Sequence, residues 1–236
     1  MRIDKFISEL GIASRKEASK AARAGGVLVD GVPKKDLSEH IDPERQVVSY
    51  LGRELIYNKF VYVMLNKPAG YVSATEDSKL PVVTELLPEE LRKRELFPVG
   101  RLDRDTVGLM ILTNDGVSAH ALLSPKRHVS KKYYFEAKEA LPQGAEAVFE
   151  SGVTLGDGYE CKSAILELAS DRKSGYITLT EGKYHQIKRM IASFDNAVSY
   201  LERVTFGDIP LDESLSRGEW RELTKDEVSS LLDKIK

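Results

Sequence analysis

The run of strand-like segments from residue 61 onward constrains this chain most. Apolar, β-branched and aromatic residues cluster at 61–65, 107–113, 132–138, 162–168 and 175–180, with turn residues between them. Helical patterns are fewer: Gly116 to Leu123, Tyr184 to Phe194, and the C-terminal stretch. In the second, Ile187, Met190, Ile191 and Phe194 form the i, i+3, i+4, i+7 stripe of a core-facing helix. The third opens on the capping box Thr224-Lys225-Asp226-Glu227 and sets Val228, Leu231, Leu232 and Ile235 on one face. Strands outnumber helices and the two do not alternate strictly. That pattern predicts an α+β domain built on a large, mainly antiparallel sheet.

Residues 1–59 read as a separate small unit, with 60–236 as the larger domain and a short linker near 59. Ser14-Arg15-Lys16-Glu17 is a capping box that starts a helix of about ten residues, and Gly25-Gly26 stop it. Ala18, Ala21 and Ala22 are small enough for close packing, whereas Arg15, Lys16, Lys20 and Arg23 fall at exposed positions. Val27-Leu28-Val29 follows as a strand, and Asp30-Gly31 as a tight turn in which both residues take positive φ. Through residue 35 there are eight Lys or Arg (2, 5, 15, 16, 20, 23, 34, 35) against four acids (4, 9, 17, 30). Such a cluster can track an RNA backbone without reading its sequence.

A net charge of -2 exerts no global pull on nucleic acid, so a polyanionic partner has to be held by local clusters of this kind. Cys161 is the only cysteine, which excludes an intramolecular disulfide and a cysteine-based zinc site. The four histidines do not fall at metal-ligand spacing. No segment has the roughly 20 apolar residues of a membrane span, and the N-terminus lacks an apolar signal region. The expected compartment is the cytoplasm.

Three segments could carry chemistry. Gly100-Arg101-Leu102-Asp103-Arg104-Asp105-Thr106-Val107-Gly108-Leu109 brackets Asp103 with two arginines. Adjacent cations favour the ionised carboxylate, which suits a nucleophile or electrostatic stabiliser better than a general acid. Asp105 and Thr106 are expected to fix the turn by bonding local backbone. Lys131-Lys132-Tyr133-Tyr134-Phe135 joins cations to aromatic rings, the materials of a base-stacking platform with phosphate contacts. In Glu181-Gly182-Lys183-Tyr184-His185-Gln186-Ile187-Lys188, the last residue lies at the start of the apolar-striped helix.

Together these segments resemble the pseudouridine synthases that carry an S4 RNA-binding domain. The likeness runs from Met1-Arg2-Ile3-Asp4-Lys5-Phe6-Ile7 through Asn66-Lys67-Pro68-Ala69-Gly70-Tyr71-Val72 and the aspartate motif to Gly218-Glu219-Trp220-Arg221-Glu222-Leu223-Thr224. The resemblance implies a small N-terminal S4 domain before a mixed-sheet catalytic domain. It implies isomerisation of a uridine in ribosomal RNA with no cofactor and no metal. Asp103 becomes the nucleophile or the base that opens a glycal route, Tyr133 the ring that stacks on the target base, and Lys188 the partner of Asp103. Leu201 packs beneath the tyrosine and the base, and Arg203 bonds a nearby loop. Arg101 and Arg104 would fill the vacated space in the RNA or grip its backbone. Arg2, Lys5, Arg15, Lys16, Lys20, Arg23 and Lys131 complete the RNA-binding set.

By length and short C-terminal tail, the chain is most similar to the branch that modifies uridine 516 of 16S rRNA. The same chemistry on a 23S uridine, and a non-catalytic RNA-binding protein of ribosome assembly, are the alternatives. The expected state is a monomer acting on 16S rRNA, free or in an assembling small subunit.

Overall fold

The computed structural model describes residues 1–235. They divide into two compact units: 1–61 together with 87–96, and the remainder.

The first unit contains α1 (Ile3–Glu9), α2 (Arg15–Arg23), β1 (Val27–Val29), β2 (Val32–Pro33), β3 (Val48–Tyr50), β4 (Arg53–Leu55) and the short α3 (Glu89–Arg92). α1 has no capping side chain at Arg2, which explains why no start signal marks it in the sequence. α2 begins at the predicted capping box: the Ser14 hydroxyl accepts from the Glu17 amide, and the Glu17 carboxylate accepts from the Ser14 amide at 2.8 Å. Asp30 and Gly31 have φ of 51° and 78°, the two left-handed positions that a two-residue hairpin turn requires. The strands form an antiparallel sheet in the order β2-β1-β3-β4. Phe6, Ile7, Ala18, Ala22, Val27 and Val48 form its core against the helices.

The second unit contains β5 (Tyr62–Lys67), β6 (Phe97–Pro98), β7 (Val107–Thr113), α4 (Gly116–Leu123), β8 (Lys131–Ala137), α5 (Ala145–Ser151) and β9 (Ile165–Leu168). It continues with β10 (Ser174–Leu179), α6 (Gln186–Ala192), β11 (Val198–Phe206), β12 (Ile209–Pro210), β13 (Trp220–Glu222) and α7 (Lys225–Asp233). The long path of the sheet runs β13-β5-β7-β11-β8-β10-β9. β7 and β11 pair in parallel, and the other ladders are antiparallel.

Gly108 lies at that parallel junction. A Cβ there would sit 2.4 Å from the Arg203 carbonyl oxygen, so the motif glycine is what lets β7 approach β11.

One core gathers Phe135, Phe149, Ile177, Met190 and Leu201 from the β8–β10–β11 half, α5 and α6. Another gathers Tyr62, Leu109, Ile111, Leu122 and Phe206 around β5, β7, α4 and α7. Among the described residues no helix is long and apolar enough to cross a membrane.

The nine-residue strand β11 is the main element that apolar periodicity does not mark. Glu202 and Arg203 sit at its centre, and Arg203 is buried rather than Leu-like, so the inward positions do not read as apolar. The helix expected from Tyr184 starts later, because His185 at φ 48° precedes its first turn.

Candidate active site

Strand β5 is buried at all six positions, and its last residue is a lysine. An ammonium there must find acceptors. Lys67 Nζ donates to the carbonyls of Pro68 (3.1 Å), Asp103 (3.2 Å), Arg104 (3.2 Å) and Thr106 (2.7 Å). Three of the four belong to the turn that presents Asp103. That turn is also closed by the Thr106 amide on the Asp103 carbonyl at 3.1 Å. Ser73 holds its entry, donating to the Leu102 carbonyl at 2.8 Å and accepting from the Leu102 amide at 3.0 Å. Burial draws the Lys67 ammonium pKa down to about 8.

Asp103 reaches an open cleft of about 460 Å³. Its wall includes Arg101, Leu102 and Thr106 from the aspartate turn, Tyr133 from β8, Leu179 from β10 and Leu201 from β11. The segment from Glu181 to Lys188 closes the opposite side. Residues more than 80 positions apart in sequence therefore share one surface. Lys188 Nζ lies 3.0 Å from Asp103 Oδ2 and 2.6 Å from Asp105 Oδ1. Burial weakens the Lys188 charge, but the two carboxylates outweigh it and raise its pKa. Asp105 is pulled the opposite way: partial burial works against its ionised form, yet the Lys188 hydrogen bond and charge leave its pKa lowered. His185 Nε2 stands 3.6 Å from Asp103 Oδ1.

Glu181 anchors the far wall. It is buried, and it accepts from the Lys162 amide (2.9 Å), the Tyr159 hydroxyl (3.0 Å) and Gln186 Nε2 (2.6 Å). α6 thus leaves the loop at a fixed place, and Lys188 on its first turn points at the aspartate turn.

The structure brings Asp103, Tyr133, Lys188, Leu201 and Arg101 to the cleft. Arg104 is exposed and does not line it; only its carbonyl is engaged, by Lys67 and by the Gly70 amide. Among the described residues the cation that pairs with Asp103 is thus Lys188 and not an arginine neighbour in sequence.

Lys131 departs from expectation. It is buried, donates to the Val129 carbonyl at 2.7 Å and lies over the Phe206 ring, with burial and the nearby Arg203 bringing its pKa down to about 8. A side chain so enclosed cannot reach a phosphate. Arg203 likewise bonds a strand carbonyl, Leu109, rather than a loop. Asp105 binds Lys188 while its carboxylate also takes a hydrogen bond from its own backbone, as expected, whereas the buried Thr106 hydroxyl makes no hydrogen bond among the described residues and does not bond the turn.

In the first unit, Arg15, Lys16, Lys20 and Arg23 are exposed on α2. Arg2 forms a fork with Asp4 at 2.9 and 3.0 Å, and Lys5 pairs with Glu9 at 3.5 Å.

Lys67 holding the aspartate turn, Asp105 as a second carboxylate on Lys188, and His185 beside Asp103 are placements that motif reading does not assign. A lysine closing the apolar run 61–65 after Asn66 was the available signal for the first.

The second unit thus holds the Asp103–Lys188 pair and the Tyr133 ring in one cleft, and the first unit carries exposed cations on α2. The family model for RNA pseudouridylate synthase matches residues 61–193, and the S4 domain model matches residues 1–47. This chain belongs to the RNA pseudouridine synthases, in the form that carries an N-terminal S4 domain. An uncharacterized RNA pseudouridine synthase of Bacillus subtilis is 45% identical over 98% of each chain. The ribosomal small subunit pseudouridine synthase A of Vibrio parahaemolyticus is 39% identical, covering 98% of this chain and 99% of that one. Its Escherichia coli namesake is 37% identical over 98% of this chain and all of its own. A crystal structure of a pseudouridylate synthase superposes with a TM-score of 0.69 at 36% identity, covering 98% of this chain and 99% of that one.

Proposed function

We propose that this enzyme isomerises one uridine of small-subunit ribosomal RNA, uridine 516 of the 16S molecule, with Asp103 as the reacting carboxylate. The observation that carries the reading is the Asp103–Lys188 pair at 3.0 Å, in a cleft lined by Tyr133 and Leu201. The N1–C1′ bond breaks, the freed uracil turns, C5 bonds to C1′, and the C5 proton leaves while N1 gains one. No atom or electron is added overall, so the reaction needs no oxidant, reductant or group donor. Asp103 acts on the ribose or the ring, either as nucleophile or by taking a proton to open a glycal route. Lys188 sets an ammonium 3.0 Å from it, a charge placed before the reaction begins. The base must leave its stack, at a cost of a few kcal/mol, and stacking on Tyr133 over Leu201 offsets that cost.

The cations of α2, with Arg2 and Lys5, hold the RNA backbone, and Arg101 meets it at the cleft. The small-subunit target is supported by the relatives named for it, which match end to end. The enzyme acts as a monomer in this reading, and an rRNA substrate with a lone buried cysteine supports the cytoplasm.

Carbodiimide-dependent reverse-transcription stops on 16S and 23S rRNA, from cells with and without the protein, test the reading. The expected result is loss of a single 16S stop. Loss of a 23S stop would move the target, and unchanged maps would favour a non-catalytic RNA-binding role.

A further inference from the structure

Tyr184 is 77% exposed, the most solvent-facing aromatic ring among the large exposed apolar side chains. Its ring stacks on His185 with centroids 3.8 Å apart and planes 17° from parallel. His185 is a lining residue of the cleft, 3.6 Å from Asp103. The pair is therefore a two-ring stack that begins beside the reacting carboxylate and ends in water.

The turn that carries both rings is held on two sides. The Lys183 amide donates to Gln186 Oε1 at 2.9 Å, and the Gln186 amide returns a bond to the Lys183 carbonyl at 3.1 Å. Gln186 is in turn tied to buried Glu181. His185 is kept in the left-handed region, at φ 48°, a conformation costly for a branched-ring residue unless its surroundings enforce it. Exposing an aromatic ring forgoes burial, and fixing it forgoes freedom. Both losses are recovered when a flat partner lands on the open face of a ring that is already ordered.

The cleft's surroundings select the partner. Lys183, lying over the Tyr159 ring, and Arg101 are exposed residues of the cleft lining, so the approaching chain is an anion with flat groups along it. We propose that Tyr184 is the stacking platform for the nucleobase adjoining the target uridine, extending the Tyr184–His185 stack by one ring while the uridine itself enters the cleft. This rests on the RNA-isomerase reading above and adds a specificity-determining contact to it. Every base has a π face, so the contact fixes the bend of the RNA beside the target more than it reads sequence.

The test uses the full-length protein and a small-subunit rRNA hairpin with 2-aminopurine placed in turn on each side of the target. Binding should quench the fluorophore at one of the two positions by severalfold. Tyr184→Ala should abolish that quench and raise KM about thirtyfold, the middle of the range for one base–aromatic stack, with kcat moving less than twofold. Tyr184→Phe, which keeps the ring, should retain the quench. An abasic nucleotide at that position should raise the wild-type KM by the same factor and make Tyr184→Ala no worse. Quenching that survives Tyr184→Ala at both positions, or losses that multiply on the abasic RNA, would overturn the assignment. Tritium release by the unmodified enzyme on the same hairpin separates the two ideas, since its absence would count against the isomerase reading instead.

Discussion

Helix α2 and the aspartate cleft both concentrate positive charge, and they use it in opposite ways. On α2, Arg15, Lys16, Lys20 and Arg23 point to solvent, within an arc of about 140° at 100° per residue. None of the four enters an ion pair among the described residues. In the cleft unit, Lys188 is committed to two carboxylates and Lys67 to four carbonyls. Mobile exposed charges suit a polyanion whose position along the surface can vary. Charges with fixed acceptors suit a reaction in which one carboxylate must meet one carbon. The first set should govern affinity and its salt dependence, and the second should govern turnover.

The sharpest break in that comparison is at Lys188. Replacing it with Met should lower kcat by roughly 10²–10³, the range for losing one preorganised electrostatic partner, and leave the salt slope of RNA binding intact. A change confined to KM, seen in steady-state kinetics, would place Lys188 with the phosphate-binding cations instead.

Lys67→Met comes next. Four carbonyls lose their donor, so stability should fall by about 2–4 kcal/mol in thermal or urea unfolding, and kcat should fall with it as the Asp103 turn loosens. A variant as stable and active as wild type would mean that Ser73 and the turn's own backbone bond suffice.

Smaller effects belong to α2. Changing Lys16, Lys20 and Arg23 together to Gln should raise KM several-fold and reduce the slope of log affinity against log salt by about 2, since each phosphate contact on single-stranded RNA is worth about 0.7. An unchanged slope would remove this helix from the RNA interface.

The smallest effect is the pH dependence of the Lys188–Asp105 pair. The lowered Asp105 pKa adds stability that is present above the ordinary carboxylate value and is lost as pH falls through the lowered one. The raised Lys188 pKa adds stability that is present below the ordinary lysine value and is lost as pH rises through the raised one. The melting-temperature gap between wild type and Asp105→Asn should therefore be flat from about pH 5 to pH 10 and narrow outside it. With Asp105 73% exposed, the gap should correspond to less than about 1 kcal/mol.

How much of this was legible beforehand follows the physics of each residue. Local signals were readable: the Ser14 and Thr224 capping boxes open α2 and α7, and Asp30-Gly31 turns the first hairpin, because each is decided within four residues. The closeness of Asp103, Tyr133, Lys188 and Leu201 was legible only through family resemblance, since no periodicity brings such distant residues together. Buried cations were the blind spot. Lys67, Lys131 and Arg203 read as surface charges or passing polar residues, yet each is buried and satisfied by backbone carbonyls that only the folded sheet assembles. For the same reason Lys131 entered the RNA-binding set and β11 escaped detection. Local charge alone does not find the partner of Asp103: Arg101 and Arg104 adjoin it in the chain, but Lys188, to which the resemblance pointed, is 85 residues away.

If the Asp103 carboxylate, held by Lys188 in this cleft, performs the isomerisation, removing its charge must abolish turnover. Tritium release from 5-tritiated uridine in small-subunit rRNA, measured for wild type and Asp103→Asn with RNA binding followed in parallel, tests it most directly. The expected result is no detectable release by Asp103→Asn at undiminished affinity. Release at the wild-type rate by that variant would contradict it.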